Sequence, residues 1–197
     1  ETIVGGIALN GGGAALAVET SGDNISIDGP VEVRTNITIN TETGGGDLNF
    51  SSNSTFDSQA GEANDVKITL NQGNATFAAA VGATNPLGEL RFMSATDVTL
   101  QASVDAARIA QDAGSGTTHF IDSITTTDPT RIGVELIGTN FVFDETVATA
   151  GDGRVSVTHF GLLDINDSAD MQLEGFFSES GGGSVETSAS IVTTGAT

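Results

Sequence analysis

The chain has no cysteine, no tryptophan and no tyrosine, and only three prolines in 197 residues. Without cysteine there is no disulfide, no thiolate nucleophile and no thiolate ligand, which removes most zinc chemistry. Aromatic content is 5%, all of it phenylalanine, ten residues. Basic residues are also scarce: Lys67, Arg34, Arg91, Arg108, Arg131 and Arg154 stand against 26 acidic side chains. A net charge of −20 offers nothing to replace the counterions of a phosphate backbone, so nucleic acid is excluded as a partner. An anionic membrane surface is excluded on the same ground. No apolar run approaches the ~20 residues of a spanning helix, so membrane insertion is not expected. The acidic balance fits a soluble surface, cation binding or a salty exterior. The chain shows no initiator methionine or signal peptide. It opens at Glu1 and closes at Thr197 in strand-like text, which reads as a piece of something longer.

Helical periodicity is nearly absent, and alternation with period two is everywhere. Ile7 and Leu9, Leu16 and Val18, Ile25 and Ile27, Val31 and Val33, and Ile37 and Ile39 form short inward-facing pairs. Turn-forming runs separate them: NGGG at 10–13, SGDN at 21–24 and ETGGGD at 42–47. One phrase recurs, an apolar–polar–apolar triplet followed some residues later by a further apolar residue. It reads ISIDGPV at 25–31, ATFAAAV at 75–81, VTLQASV at 98–104, THFIDSI (loosely) at 118–124, FVFDETV at 141–147 and MQLEGFF at 171–177. LNFSSNSTF, from Leu48, reaches its last apolar residue late, at Phe56. The starts at 25, 48, 75, 98, 118, 141 and 171 give intervals of 23, 27, 23, 20, 23 and 30 residues. Recurrence at this period is the mark of a solenoid.

Six of the ten phenylalanines (Phe50, Phe77, Phe120, Phe141, Phe143 and Phe177) fall on apolar positions of the phrase. With 38% apolar residues patterned in this way, the chain can bury a core, which argues against disorder. A second set of strands lies between the phrases: VKITL at 66–70, LRF at 90–92, IGVEL at 132–136 and VSV at 155–157. The stretch SVDAARIAQDAG at 103–114 has some helical look but reads as a strand plus a loop or single turn. Within each phrase the flanking apolar residues are expected to stack on their equivalents above and below. Ser26, Asn49, Thr76, Thr99 and Gln172 then point outward. Asp23, Asp47 and Asn74, just before the phrase, suit corners, because such residues tolerate left-handed backbone and bond their own main chain.

The fold expected is all-β: a single-stranded parallel β-helix (β-solenoid) over residues 1–197, about eight coils of 20–30 residues. At ~4.8 Å per strand, eight coils make a rod on the order of 40 Å long. The run 75–104 resembles the repeats of large bacterial surface proteins of the filamentous haemagglutinin and β-helix adhesin type. The likeness rests on Phe77, Val81-Gly82, Pro86-Leu87, Leu90, Val98 and Leu100. It implies a right-handed β-helix on a secreted or cell-surface protein, and it carries over no catalytic residue.

Chemistry-bearing patterns are few. His119 and His159 each precede a phenylalanine and read as strand residues. No serine sits in a nucleophile elbow, and GGG at 11–13, 44–46 and 181–183 lacks the Lys-Ser/Thr of a phosphate loop. The best metal candidate is DINDSAD at 164–170, where Asp164, Asn166, Ser168 and Asp170 alternate as oxygen ligands for calcium. Ala169 replaces the turn glycine of an EF-hand loop, and Gly175 stands where its bidentate glutamate belongs. The alternative is a polar turn between coils. Thr41 with Thr43, and TTT at 125–127, are too isolated for a Thr-x-Thr ice-binding array. Arginines scattered along the chain argue against a polysaccharide-cleaving site. The function expected is therefore a structural or adhesive module, not an enzyme, on an extracellular or bacterial surface fibre. Neither end shows a cap, so its partners are further repeats or copies of itself end to end, and host or matrix glycans. Two alternatives stand beside it. One is a β-helix enzyme acting on polysaccharide. The other is a pair of β-sandwich adhesion domains joined near 105–117, which needs antiparallel hairpins.

Overall fold

The computed structural model describes residues 2–4 (as backbone), 6–41, 44–128 and 132–195. Thr43 and Arg131 lie outside them. Short strands built as apolar–polar–apolar triplets, with turn residues between, wind into a β-solenoid of about eight turns. Every pairing between described strands is parallel, each strand bonding its equivalents one turn before and one turn after. Each turn has three sides.

The first side holds β1 (Thr2–Val4), β4 (Ile25–Asp28), β7 (Leu48–Phe50), β10 (Ala75–Phe77), β12 (Val98–Leu100), β14 (Thr117–Phe120), β17 (Asn140–Phe143), β20 (Leu162–Ile165) and β23 (Ser184–Thr187). The second holds β2 (Ile7–Leu9), β5 (Val31–Val33), β8 (Phe56–Ser58), the bridging Val81, the start of β13 (Val104–Gln111), β15 (Ile124–Thr126), β18 (Val147–Thr149), β21 (Met171–Leu173) and β24 (Ile191–Thr193). The third holds β3 (Leu16–Glu19), β6 (Ile37–Asn40), β9 (Val66–Thr69), β11 (Leu87–Ser94), the end of β13, β16 (Ile132–Gly138), β19 (Arg154–His159) and β22 (Phe177–Gly181).

Register turns the repeat into columns. Ile25, Leu48, Ala75, Val98, Thr118, Phe141 and Leu163 follow one another on the first side. Beside them run Ile27, Phe50, Phe77, Leu100, Phe120, Phe143 and Ile165. The Phe50 and Phe77 rings stack at 4.6 Å between centroids, and those of Phe120 and Phe143 lie 5.1 Å apart and nearly parallel. Leu100 fills the level between the two pairs. The late apolar residue of each phrase starts the second side: Val31, Phe56, Val81, Val104, Ile124, Val147 and Met171 form one column. The second set of sequence strands supplies the third side, where Ile37, Val66, Leu90, Ile109, Val134 and Val155 align. All of these but Ile25 and the polar Thr118 belong to one buried apolar cluster. The loose match at 118 has a local remedy: the Thr118 hydroxyl donates to Gln111 Oε1 at 2.7 Å inside the coil.

Two readings need correction. The phrase at 171 is out of step: β21 belongs to the second side, and the first side continues through Leu163 to Val185, two steps of 22 residues (141 to 163, 163 to 185). Gln172 accordingly lies outside the outward row of Ser26, Asn49, Thr76 and Thr99. The 103–114 stretch holds one eight-residue strand, Val104–Gln111, turning from the second side to the third, and a bend at Asp112 after it, as expected of a strand plus loop. That strand, and the parallel pairing throughout, exclude two sandwich domains joined there.

Close packing at the corners explains the glycines. A Cβ on Gly46 would sit 2.2 Å from the Asp23 carbonyl oxygen, and one on Gly73 2.2 Å from that of Gly46. Successive turns touch backbone to backbone at this corner, where a side chain has no room.

Candidate functional site

The corner leading into the first side carries a ladder of side chains, each bonded to the turn that follows. Asn24 Oδ1 accepts from Asp47 N at 2.8 Å, and Asp47 Oδ1 from Asn74 N at 2.8 Å and Asn74 Nδ2 at 3.1 Å. Asn74 Oδ1 then accepts from Asp97 N (3.1 Å), and Asp97 Oδ1 from Thr117 N (2.7 Å). Asn140 continues it, its Nδ2 donating to Thr117 Oγ1 at 3.4 Å and its Oδ1 accepting from Leu162 N at 2.8 Å. Each acceptor satisfies an N–H that the bend would otherwise leave unpaired. Asp47 and Asn74 do stand at corners, but they bond the neighbouring turn, and the first rung is Asn24 and not Asp23. A shorter ladder, Asn36 to Asp65 to Glu89, marks the corner entering the third side.

The arginines are less scattered than their sequence positions imply. Register sets Lys67 beside Arg91 and Glu89 beside Arg108. Arg91 pairs with Asp112 (Nη2 to Oδ1, 2.7 Å) and with Glu89 (3.3 Å). Arg108 reaches Glu89 at 3.2 Å and Glu135 one turn further on. The hydrogen bonds that Arg91 donates to Asp112 raise its guanidinium above the ordinary pKa. Five charges thus cross-link three turns. An arginine beside carboxylates is also what a sugar-cleaving site uses, yet each of these five is already held in an ion pair.

Both histidines reach the turn that follows. His119 Nε2 lies 2.7 Å from Asp144 Oδ2, whose other oxygen accepts from Asn166 Nδ2 at 2.5 Å. The His159 side chain is fully buried, with Nε2 2.9 Å from Glu179 Oε1 and Nδ1 3.2 Å from the Gly161 carbonyl. The glycine run 181–183 wraps it, since a Cβ on Gly183 would meet His159 Nδ1 at 2.5 Å. Of the calcium candidates, Asp164 lies in β20 on the first side. Asn166 is tied to Asp144, Ser168 is exposed, and Asp170 Oδ1 accepts from Ser190 N at 2.9 Å, just before β21. The turn closes by a bond from Ala169 N to the Asn166 carbonyl, with the Ala169 methyl fully buried. Among the described residues no group of three or more histidine or carboxylate side chains is placed to hold a metal ion.

No protein-family model matches the chain, and neither a curated protein nor a solved structure resembles it significantly.

Proposed function

We propose that the chain is a structural and adhesive module: a stiff, non-enzymatic rod in a fibrous protein of the cell surface or extracellular space. The observation that carries this reading is the parallel ladder, which on the second side narrows to the single bridging residue Val81 at the fourth turn and then resumes. Three parallel sides stack through about eight turns, with local register shifts on the third near Phe92 and Ile132, over one continuous apolar interior. Such a stack behaves as a one-dimensional array in which each turn is held by its neighbours. At ~4.8 Å per strand, the eight steps of the first side span about 38 Å. The likeness of 75–104 to adhesin-type repeats supports the same reading.

In a fibre the rod continues into further turns or stacks end to end on another copy. Support comes from the repeat itself, in which the inward residues of each middle turn are covered by the turns on either side. Sedimentation at rising protein concentration, with electron microscopy of the natural full-length product, tests this. Filaments or longer rods are expected, and compact monomers throughout overturn it. Release of sugar from neutral or acidic polysaccharides, abolished by Arg91→Ala, would overturn the non-enzymatic part.

A further inference from the structure

On the second side, one turn fails to complete its strand. The fourth turn gives that side only Val81, after which Gly82, at φ +73°, carries the chain outward. A Cβ there would lie 1.9 Å from the Asp105 carbonyl oxygen, so the departure needs a glycine. The loop 82–86 folds back over the third turn: Asp57 Oδ1 accepts from Thr84 N at 2.9 Å and Asn85 N at 3.3 Å, and Ser58 N donates to the Asn85 carbonyl at 3.0 Å. The result is a groove of about 410 Å³ walled by Thr84 and Asn85, with β2, β5 and β8 as its floor. This volume lies within the ~300–1,000 Å³ of small-ligand sites.

The groups facing the groove are mixed in sign and kind. Register places Ala8, Glu32 and Asp57 on neighbouring strands in one outward row. Arg34 Nε and Nη2 both donate to Glu32 Oε2, at 3.0 and 2.7 Å. This pairing raises the guanidinium pKa, and among the described residues neither Arg34 Nη1 nor Glu32 Oε1 has a hydrogen-bond partner. Asp57 uses Oδ1 to pin the wall, and its Oδ2 accepts from no described residue. The exposed Ala8 and Pro30 give an apolar strip beside them. Among the described residues only two carboxylates line the groove, one of them paired with Arg34, too few oxygen ligands to hold a metal ion. The two carboxylates, on a chain of net charge −20, repel an acidic ligand. Donors, acceptors and an apolar strip side by side match a neutral molecule whose hydroxyls donate to carboxylates and accept from a guanidinium, with a C–H face for Ala8 and Pro30.

We propose that this groove binds a neutral sugar unit of a glycan. The proposal names a partner for the adhesive reading above, and it is tested apart from rod assembly. Amide spectra of the full chain would be recorded with cellotriose, maltotriose, mannotriose and chitotriose at up to millimolar concentration. At least one is expected to shift the amides of Ser58, Thr84 and Asn85 while leaving Thr158 on the third side unmoved. Ala8→Phe fills the floor without touching a hydrogen bond and is expected to abolish the shifts. Glu32→Gln should weaken binding at least about tenfold, the loss typical of one charged hydrogen bond. The proposal fails if no sugar of the set moves these amides, or if Ala8→Phe leaves binding unchanged. It fails equally if calcium chloride or spermidine moves them where the sugars do not. Sugar binding by a chain that never assembles would sink the fibre and leave the groove.

Discussion

The middle turns and the last one are written in the same alphabet but differ in burial. In β10 and β12 the inward residues Ala75, Phe77, Val98 and Leu100 are all buried. In β23 and β24 the described residues are exposed, although Val185 continues the column of Ala75 and Val98, and Ile191 the second-side column of the buried Val104 and Met171. Residue type does not account for this, because valine and isoleucine are as apolar as their counterparts. The difference is the number of flanking turns. An inward side chain loses its water only when turns lie both above and below it, so burial in a solenoid is shared between neighbours and not owned by one coil.

That contrast can be broken by substitution. Phe77 packs against Phe50, Phe56 and Phe92, so Phe77→Ala should lower the unfolding free energy by about 3–5 kcal/mol. Val185→Ala, at a half-exposed position, should cost within about 0.5 kcal/mol. Denaturant melts of the two variants measure this, and equal losses would remove the distinction. The corner ladder sets up a second pair. Asp47→Ala leaves the Asn74 N–H without its acceptor, for about 1–3 kcal/mol. Asp170→Ala frees the Ser190 N–H in the last turn, where water replaces the carboxylate, and should cost under about 0.5 kcal/mol.

Arg91→Met removes a partly exposed ion pair from the middle turns. It should cost about 1 kcal/mol or less, shrinking further as salt is added. The smallest effect is titration. The Ser51 hydroxyl, and then the Asn53 amide, hold the Asp28 carboxyl below its ordinary value. Its folded pKa being lowered, its contribution is present above the ordinary carboxylate pKa and is lost as pH falls through the lowered one. Ser51→Ala removes the larger cause, so the Asp28 resonance should titrate at higher pH than in the parent chain.

Much of this order could be read from spacing. Six of the seven phrase starts fall on the first side in register, and every late apolar residue up to Val147 lies in one column of the second. The phrase at 171 misled because strands on different sides share the apolar–polar–apolar triplet, so MQL at 171–173 and LDI at 163–165 cannot be told apart by alternation. The residue before the strand is the better guide: Asn24, Asp47, Asn74 and Asp97 each precede a first-side strand, and the Gly161 before Leu162 breaks that signal. The charges were harder to place. Glu89 and Arg108 meet only because Leu90 aligns with Ile109, a register hidden inside what looked like a helical stretch. The groove was not legible at all. It depends on where one loop leaves the sheet, and Gly82 by itself reads as another turn.

Distances along the outward row of the first side test the stacked rod most directly. The chain has no native cysteine, so Ser26→Cys can be spin-labelled together with Thr99→Cys, Val142→Cys or Asp164→Cys in turn. These partners lie three, five and six register steps from Ser26. At ~4.8 Å per step the separations should rise linearly, about 14, 24 and 29 Å between backbones. Separations that fail to grow with the number of turns, or that double back, would contradict a rod of stacked parallel coils.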